Sequence, residues 1–217
     1  MKYGESSFDI LYLLFAIVSG CAILFRAKTK TDKLMGFAAL ILGCGDAFHL
    51  VPRVLNYFVD ADFTVALGVG KLITSVTMTV FYLLMYYIWR GVYGATPSRG
   101  LTACVWALSA VRIALCLFPQ NGWLTNTAPL LWSILRNIPF VLLGAIICVL
   151  YFKQRGEIKP LRPMWVYILL SFLFYIPVAV GAGFVPMLGM LMLPKTVCYI
   201  LMIVAFLRMT GRKADKE

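Results

Sequence analysis

The chain has 217 residues, of which 62% are hydrophobic and 13% charged, with a formal net charge of +11. A soluble domain carries about 45–50% apolar residues and about 25% charge, so this composition excludes a soluble globular protein. The basic excess does not point to nucleic acid either, because most Lys and Arg sit in short connections between apolar stretches, as membrane topology requires.

A bilayer core takes about 20 mostly apolar residues per helix, and seven such stretches follow one another, at about 8–25, 34–51, 64–89, 101–118, 130–152, 164–184 and 188–207. The first reads as a retained helix, since MKYGESSFD carries acids in place of a basic leader region and no small-residue cleavage site follows. The basic run RAKTKTDK ends it. The second is expected to stop at Pro52, because the residue before a proline avoids the helical conformation. After the fourth comes the turn-rich PQNGWLTNTAP. Before the seventh, VPMLGMLMLP is apolar throughout, and its glycine and prolines predict a tight re-entry. The expected fold is all-α, a single polytopic bundle of about seven transmembrane helices covering 1–217. All six cysteines fall within apolar stretches and none forms a CxxC or a Cys/His cluster. Neither a metal site, a disulfide framework nor a cofactor is implied.

Orientation follows from the basic residues. One side collects Arg26, Lys28, Lys30, Lys33, Arg90, Arg99, Lys153, Arg155, Lys159, Arg162, Arg208, Arg212, Lys213 and Lys216; the other holds Lys2 and Arg53 with the acids Glu5, Asp9, Asp60 and Asp62. The positive-inside rule then places the N-terminus outside and the C-terminus in the cytoplasm, as in a bacterial-type inner membrane. Trp123 and Trp132 mark the outer interface, Trp89 and Trp165 the inner one.

Within the second stretch, GCGDAFHLVPR (43–53) holds Asp46, read as the only acid well inside an apolar span, and His49, the only histidine. The spacings to His49 and Arg53 put the three on one helix face. At a rise of about 1.5 Å per residue, Lys71 comes out roughly 10 Å below the outer surface, and Arg112, Arg136 and Lys195 at a similar depth. Ser75, Ser109, Ser133, Asn137 and Tyr199 lie within about a turn of these cations, and Tyr175, Pro177, Gly181 and Gly183 offer a face of small or kinking residues. Charged groups inside a bilayer are costly and mark function. Four cations against one acid at this level predict an outward-facing pocket for an anionic group, either a lipid head group or a small solute. Arg112 and Arg136 are the candidate bidentate clamps and Asp46 is the counter-ion of a neighbouring cation such as Lys71.

The same residues admit plainer roles. The lysines reach the interface by snorkelling, and the arginines tie helices together through backbone carbonyls. Two further readings stand beside the binder or transporter. One is an intramembrane lipid hydrolase or transferase, with Asp46 orienting His49 as general base; the other is a structural or accessory membrane subunit. No family is implied by these residues. Lys195 is too near the end of its span for a rhodopsin Schiff base, a lone histidine cannot build the zinc site of the ceramidase-like hydrolases, and Gly45-Asp46 is only a dipeptide in common with the lysoplasmalogenases.

Overall fold

The computed structural model describes residues 2–181 and 184–212; Gly183, Lys213 and Lys216 of the sequence reading lie outside the described residues. Among the described residues there is no strand, and seven long helices account for nearly all of the chain: α1 (Lys2–Arg26), α2 (Lys30–Phe58), α3 (Thr64–Tyr93), α4 (Arg99–Leu117), α5 (Leu130–Lys153), α6 (Met164–Gly181) and α7 (Met192–Arg212). All seven, α6 and α7 with the short helical turns before them, are long and apolar enough to cross a membrane, which is compatible with a multi-pass membrane protein.

Local chemistry sets several of the ends. Thr29 and Asp32 form a reciprocal cap on α2: the Asp32 N–H donates to Thr29 Oγ1 (3.1 Å) and the Thr29 N–H to Asp32 Oδ2 (3.0 Å). Ser98 Oγ caps α4 by accepting the Leu101 N–H. Ahead of α3, hydrogen bonds from the Thr64 side chain and N–H hold the Asp62 carboxyl below the usual carboxylate range.

Several ends differ from the sequence reading. α1 begins at Lys2, so Glu5, Ser6 and Asp9 are helical. α2 does not stop at Pro52 but continues to Phe58. A proline inside a helix removes one hydrogen bond at the carbonyl four residues back, here that of Phe48, and the turns beyond it are tied to α1 by an Arg53–Glu5 ion pair and by the Tyr57 hydroxyl, which donates to Glu5 Oε2 (3.1 Å). The Phe48 carbonyl lies against Gly70 of α3, where a Cβ would collide with it. After α6, Pro186–Leu191 forms a 3-10 turn, and α7 starts only at Met192.

Consecutive helices pack side by side, α7 returns to α1 and α2, and α3 also reaches across to α5. Cross-helix bonds show the antiparallel order: Tyr12 with Asp46, Tyr86 with Thr102, Tyr175 with Asn137. α3 divides into two halves. Its second half, with Phe81, Tyr82, Met85, Tyr86 and Ile88 fully buried, forms the apolar core together with Phe140, Leu143, Ile147, Phe172, Met202 and Phe206. Its first half carries Lys71, Thr74 and Ser75, which face the cavity described next.

Candidate functional site

A cavity of about 600 Å³ opens at the end of the bundle where α1 begins. That volume falls in the range of small-ligand sites. His49 of α2, Lys71, Thr74 and Ser75 of α3, Arg112 of α4, Ser133, Arg136 and Asn137 of α5, Tyr175 of α6 and Lys195 of α7 all line it, over an apolar floor that includes Met78 and Phe140. Four cations from four different helices thus meet in one space, and no carboxylate is among its lining residues.

The cations are held differently. Arg112 is 1% exposed: its Nε donates to Thr79 Oγ1 (3.1 Å), and its Nη1 to the Arg136 carbonyl (2.6 Å) and to Asn137 Oδ1 (2.8 Å). Its guanidinium carbon also sits 3.8 Å from the Phe140 ring centroid, so Phe140 covers one face. Three helices, α3, α4 and α5, are tied by this side chain. The turn that supplies the Arg136 carbonyl precedes Pro139, which has no N–H and crowds the turn before it. Arg112 therefore acts as a helix tie, with only Nη2 left for a ligand, and is not the free bidentate clamp that its depth predicts.

Arg136 is less committed. Its Nη1 donates to Asn121 Oδ1 (2.9 Å) and its guanidinium stacks 4.4 Å from the Trp123 ring, leaving Nε and Nη2 without acceptors among the described residues. Lys71 donates to Asn126 Oδ1 (2.7 Å) at the cavity mouth. Lys195, 8% exposed, makes no hydrogen bond within the described residues; its ammonium lies 4.9 Å from the Tyr175 ring and 5.2 Å from the Tyr199 ring, within electrostatic reach of Asp46.

The connection between α4 and α5 forms a lid. Asn121 is fully buried and its Nδ2 closes the end of α4 by donating to the Leu115 (2.8 Å) and Phe118 (2.9 Å) carbonyls, while Trp123 Nε1 donates to that of Cys116 (2.8 Å). These bonds satisfy carbonyls that the helix end leaves open. They also aim the Asn121 and Trp123 side chains at Arg136. Asn126, the one described non-glycine residue with positive φ (53°), uses the tolerance of asparagine for that region and meets Lys71. The sequence reads this segment as a turn, with Trp123 in it and Trp132 beyond it at the rim of the pocket. Its signal was present, two asparagines and a tryptophan between cation-bearing helices, but nothing in the spacing paired them with Arg136 and Lys71. Thr74 and Phe140 were likewise missed.

Other expected residues lie elsewhere. Asp46 is outside the cavity lining and accepts the Tyr12 hydroxyl (2.7 Å); its electrostatic partner is Lys195, not Lys71. Among the described residues no hydrogen bond joins it to His49, whose Nδ1 is buried without a partner, so the Asp46–His49 dyad is not assembled. Arg53, carried past the rim by the continuation of α2, pairs with Glu5. Ser109 Oγ bonds its own helix at Val105 (2.8 Å) and lines a separate apolar recess between α3 and α4; its short side chain cannot reach as Arg112 does. Tyr199 is buried, its ring 6.0 Å from that of Phe81. Ser75 lines the cavity with its hydroxyl bonded to the Lys71 carbonyl (2.8 Å). Trp132 stacks on Phe118 and does not line the cavity. No protein-family model, curated protein or solved structure matches the chain.

Proposed function

We propose that the chain is a multi-pass protein of a bacterial-type inner membrane, N-terminus outside and C-terminus cytoplasmic, whose outward-facing cavity binds or carries an anionic solute or lipid. The observation that carries this reading is the convergence of Lys71, Arg112, Arg136 and Lys195 on one cavity lined by no acid. Arg112 and Lys195 are buried, and cations withdrawn from water need opposite charge or strong acceptors. Asn121, Asn126 and Asn137 offer dipoles, and only Lys195 has a carboxylate within reach. A ligand anion supplies what is missing, through the unused donors of Arg136, Arg112 Nη2 and the Lys195 ammonium.

One wall favours an amphipathic ligand. Leu130, Val180 and Phe184, from the start of α5 and the region around the end of α6, line the cavity while 41%, 43% and 72% exposed. A phosphate head group inside and an acyl chain along this apolar side satisfy both surfaces. The enzymatic reading rests on His49 Nδ1, a buried and unpartnered nitrogen on a cavity-lining residue, and would require His49 to act without Asp46 as its orienting partner.

Native mass spectrometry of purified protein in mild detergent tests the proposal. Wild type is expected to retain phosphatidylglycerol over phosphatidylcholine, and Arg136→Ala to weaken that retention about tenfold, the value of one charge-assisted bond of about 1.4 kcal/mol or more. Equal retention of both lipids, with no stabilisation by inorganic phosphate or sulfate, would leave a structural or accessory subunit as the better reading.

A further inference from the structure

Two carboxylates, Asp9 and Asp46, belong among the described residues to neither the cavity lining nor any ion pair. Asp9 on α1 is 4% exposed, and its Oδ2 is buried without a hydrogen-bond partner. Ser6, one turn earlier on the same helix face, is also 4% exposed, with its hydroxyl equally unpartnered. One turn after Asp9 on that face, Tyr12 is 1% exposed and donates to Asp46 Oδ2 at 2.7 Å. Asp9 and Asp46 are within electrostatic reach of each other, and Asp46 of Lys195. Lys195 therefore both lines the cationic cavity and faces Asp46. Asp32, the other buried aspartate beside Asp9 among the described residues, is satisfied by the backbone N–H groups of its own cap and takes no part.

A buried carboxylate oxygen and a buried hydroxyl without partners each leave a desolvation cost uncompensated. Two carboxylates within electrostatic reach of each other, only one of which, Asp46, faces an ammonium, leave one negative charge in excess. A proton removes that charge, and a protonated carboxyl gains an O–H donor where Asp9 and Ser6 present only unmatched groups.

We propose that Asp9 and Asp46 form a buried proton-binding site and that Lys195 couples its occupancy to the anion in the cavity. The linkage, though not the proton site itself, rests on the anion-binding reading. When an anion enters, Lys195 shares its charge with the ligand and Asp46 loses part of its counter-charge. The pair then takes one H⁺ from solvent, forming an O–H bond on a carboxylate oxygen, so that a negative and a positive charge enter together. By linkage, anion affinity rises as pH falls, by at most about tenfold per pH unit for one coupled proton. The groups facing the pair are Tyr12 of α1 and Lys195 and Tyr199 of α7; Lys71 of α3 and Lys195 act on His49 of α2, and Tyr175 of α6 acts on Lys195. Protonation of His49 beside the cavity has the same sign of effect on an anion, so the readout must be specific for a carboxyl group.

The experiment is infrared difference spectroscopy of the full chain in phosphatidylcholine nanodiscs with ¹³C-labelled aspartate, titrated over about pH 5–8, where ordinary carboxyl groups are ionised throughout. It is run without added anion, with phosphatidylglycerol and with sulfate, two probes that separate a lipid from a solute and hold constant charge over this range. Expected are a titrating aspartic-acid carbonyl band, absent in Asp9→Asn, and a shift of its midpoint to higher pH with whichever probe binds. Should Asp9→Asn not be recovered, Asp46→Asn takes its place, and the wild-type titration needs neither variant. The absence of a titrating aspartic-acid band in wild type overturns the proton site. A band that a bound anion leaves unmoved overturns the linkage. Binding of neither probe overturns the anion-binding reading and the linkage with it, while the band alone still decides the proton site.

Discussion

Arg112 and Arg136 are both arginines at one depth, yet their partners give them different work. Arg112 spends Nε and Nη1 on Thr79, the Arg136 carbonyl and Asn137, whereas Arg136 has one protein hydrogen bond and a Trp123 ring. Removing Arg112 strands a buried carbonyl and a buried amide, each worth about 1–3 kcal/mol. Arg112→Ala is therefore expected to cost about 2–4 kcal/mol in reversible unfolding, and Arg112→Lys to recover less than half, because an ammonium cannot reproduce the planar fork. Arg136→Ala is expected to cost about 1 kcal/mol and to act mainly on ligand. Equal destabilisation by the two alanine variants would overturn this division. The cations themselves were legible in the sequence, since charged residues inside apolar stretches are rare enough to stand out. Asp9 was not, because hydropathy places it at the edge of the first stretch and only the packing of α1 against α2 and α7 shows it 4% exposed.

Helix ends and helix spacing shape the cavity. α2 survives Pro52 because the turns beyond it are anchored to Glu5 and because Gly70 lets α3 approach the Phe48 carbonyl, a closeness that a Cβ would prevent. Gly68 does the same for the lid, since a Cβ there would run into the Trp123 carbonyl. Gly68→Ala is expected to cost about 1–3 kcal/mol through overpacking and to weaken anion retention by displacing the loop that holds Arg136 and Lys71. Gly4→Ala, where a Cβ meets nothing within 4 Å, serves as the neutral control. Thermal unfolding and native mass spectrometry on the two variants check this, and a Gly68→Ala protein with wild-type stability would contradict it. The helices were legible as apolar runs of sufficient length. The lid was not, because turn-forming residues announce a turn without saying which side chains it faces.

At the scale of the molecule, the surface is inverted relative to a soluble protein. Large apolar side chains such as Leu11, Val18, Phe25, Leu131, Ile138 and Val149 stand half or more exposed on the outer faces of the helices, far beyond the scattered apolar patches of a soluble monomer. These faces, the cavity at one end and most of the basic residues at the other are consistent with the proposed N-out, C-in orientation. Fusing a cytoplasm-active fluorescent reporter to the C-terminus is expected to give signal, and an alkaline phosphatase fused there to stay silent; the reverse pattern would invert the proposed side of the cavity.

The sequence by itself determined an all-helical chain with seven stretches able to cross a membrane, because hydrophobic run length is a property of single helices. Only the tertiary structure decided which cation is a tie and which is free, that Asn121 and Asn126 meet Arg136 and Lys71, and that Asp46 faces Tyr12 and Lys195 in place of His49. Those outcomes depend on helix rotation and on close approach at glycines and prolines, which are set between helices and leave no period in the chain.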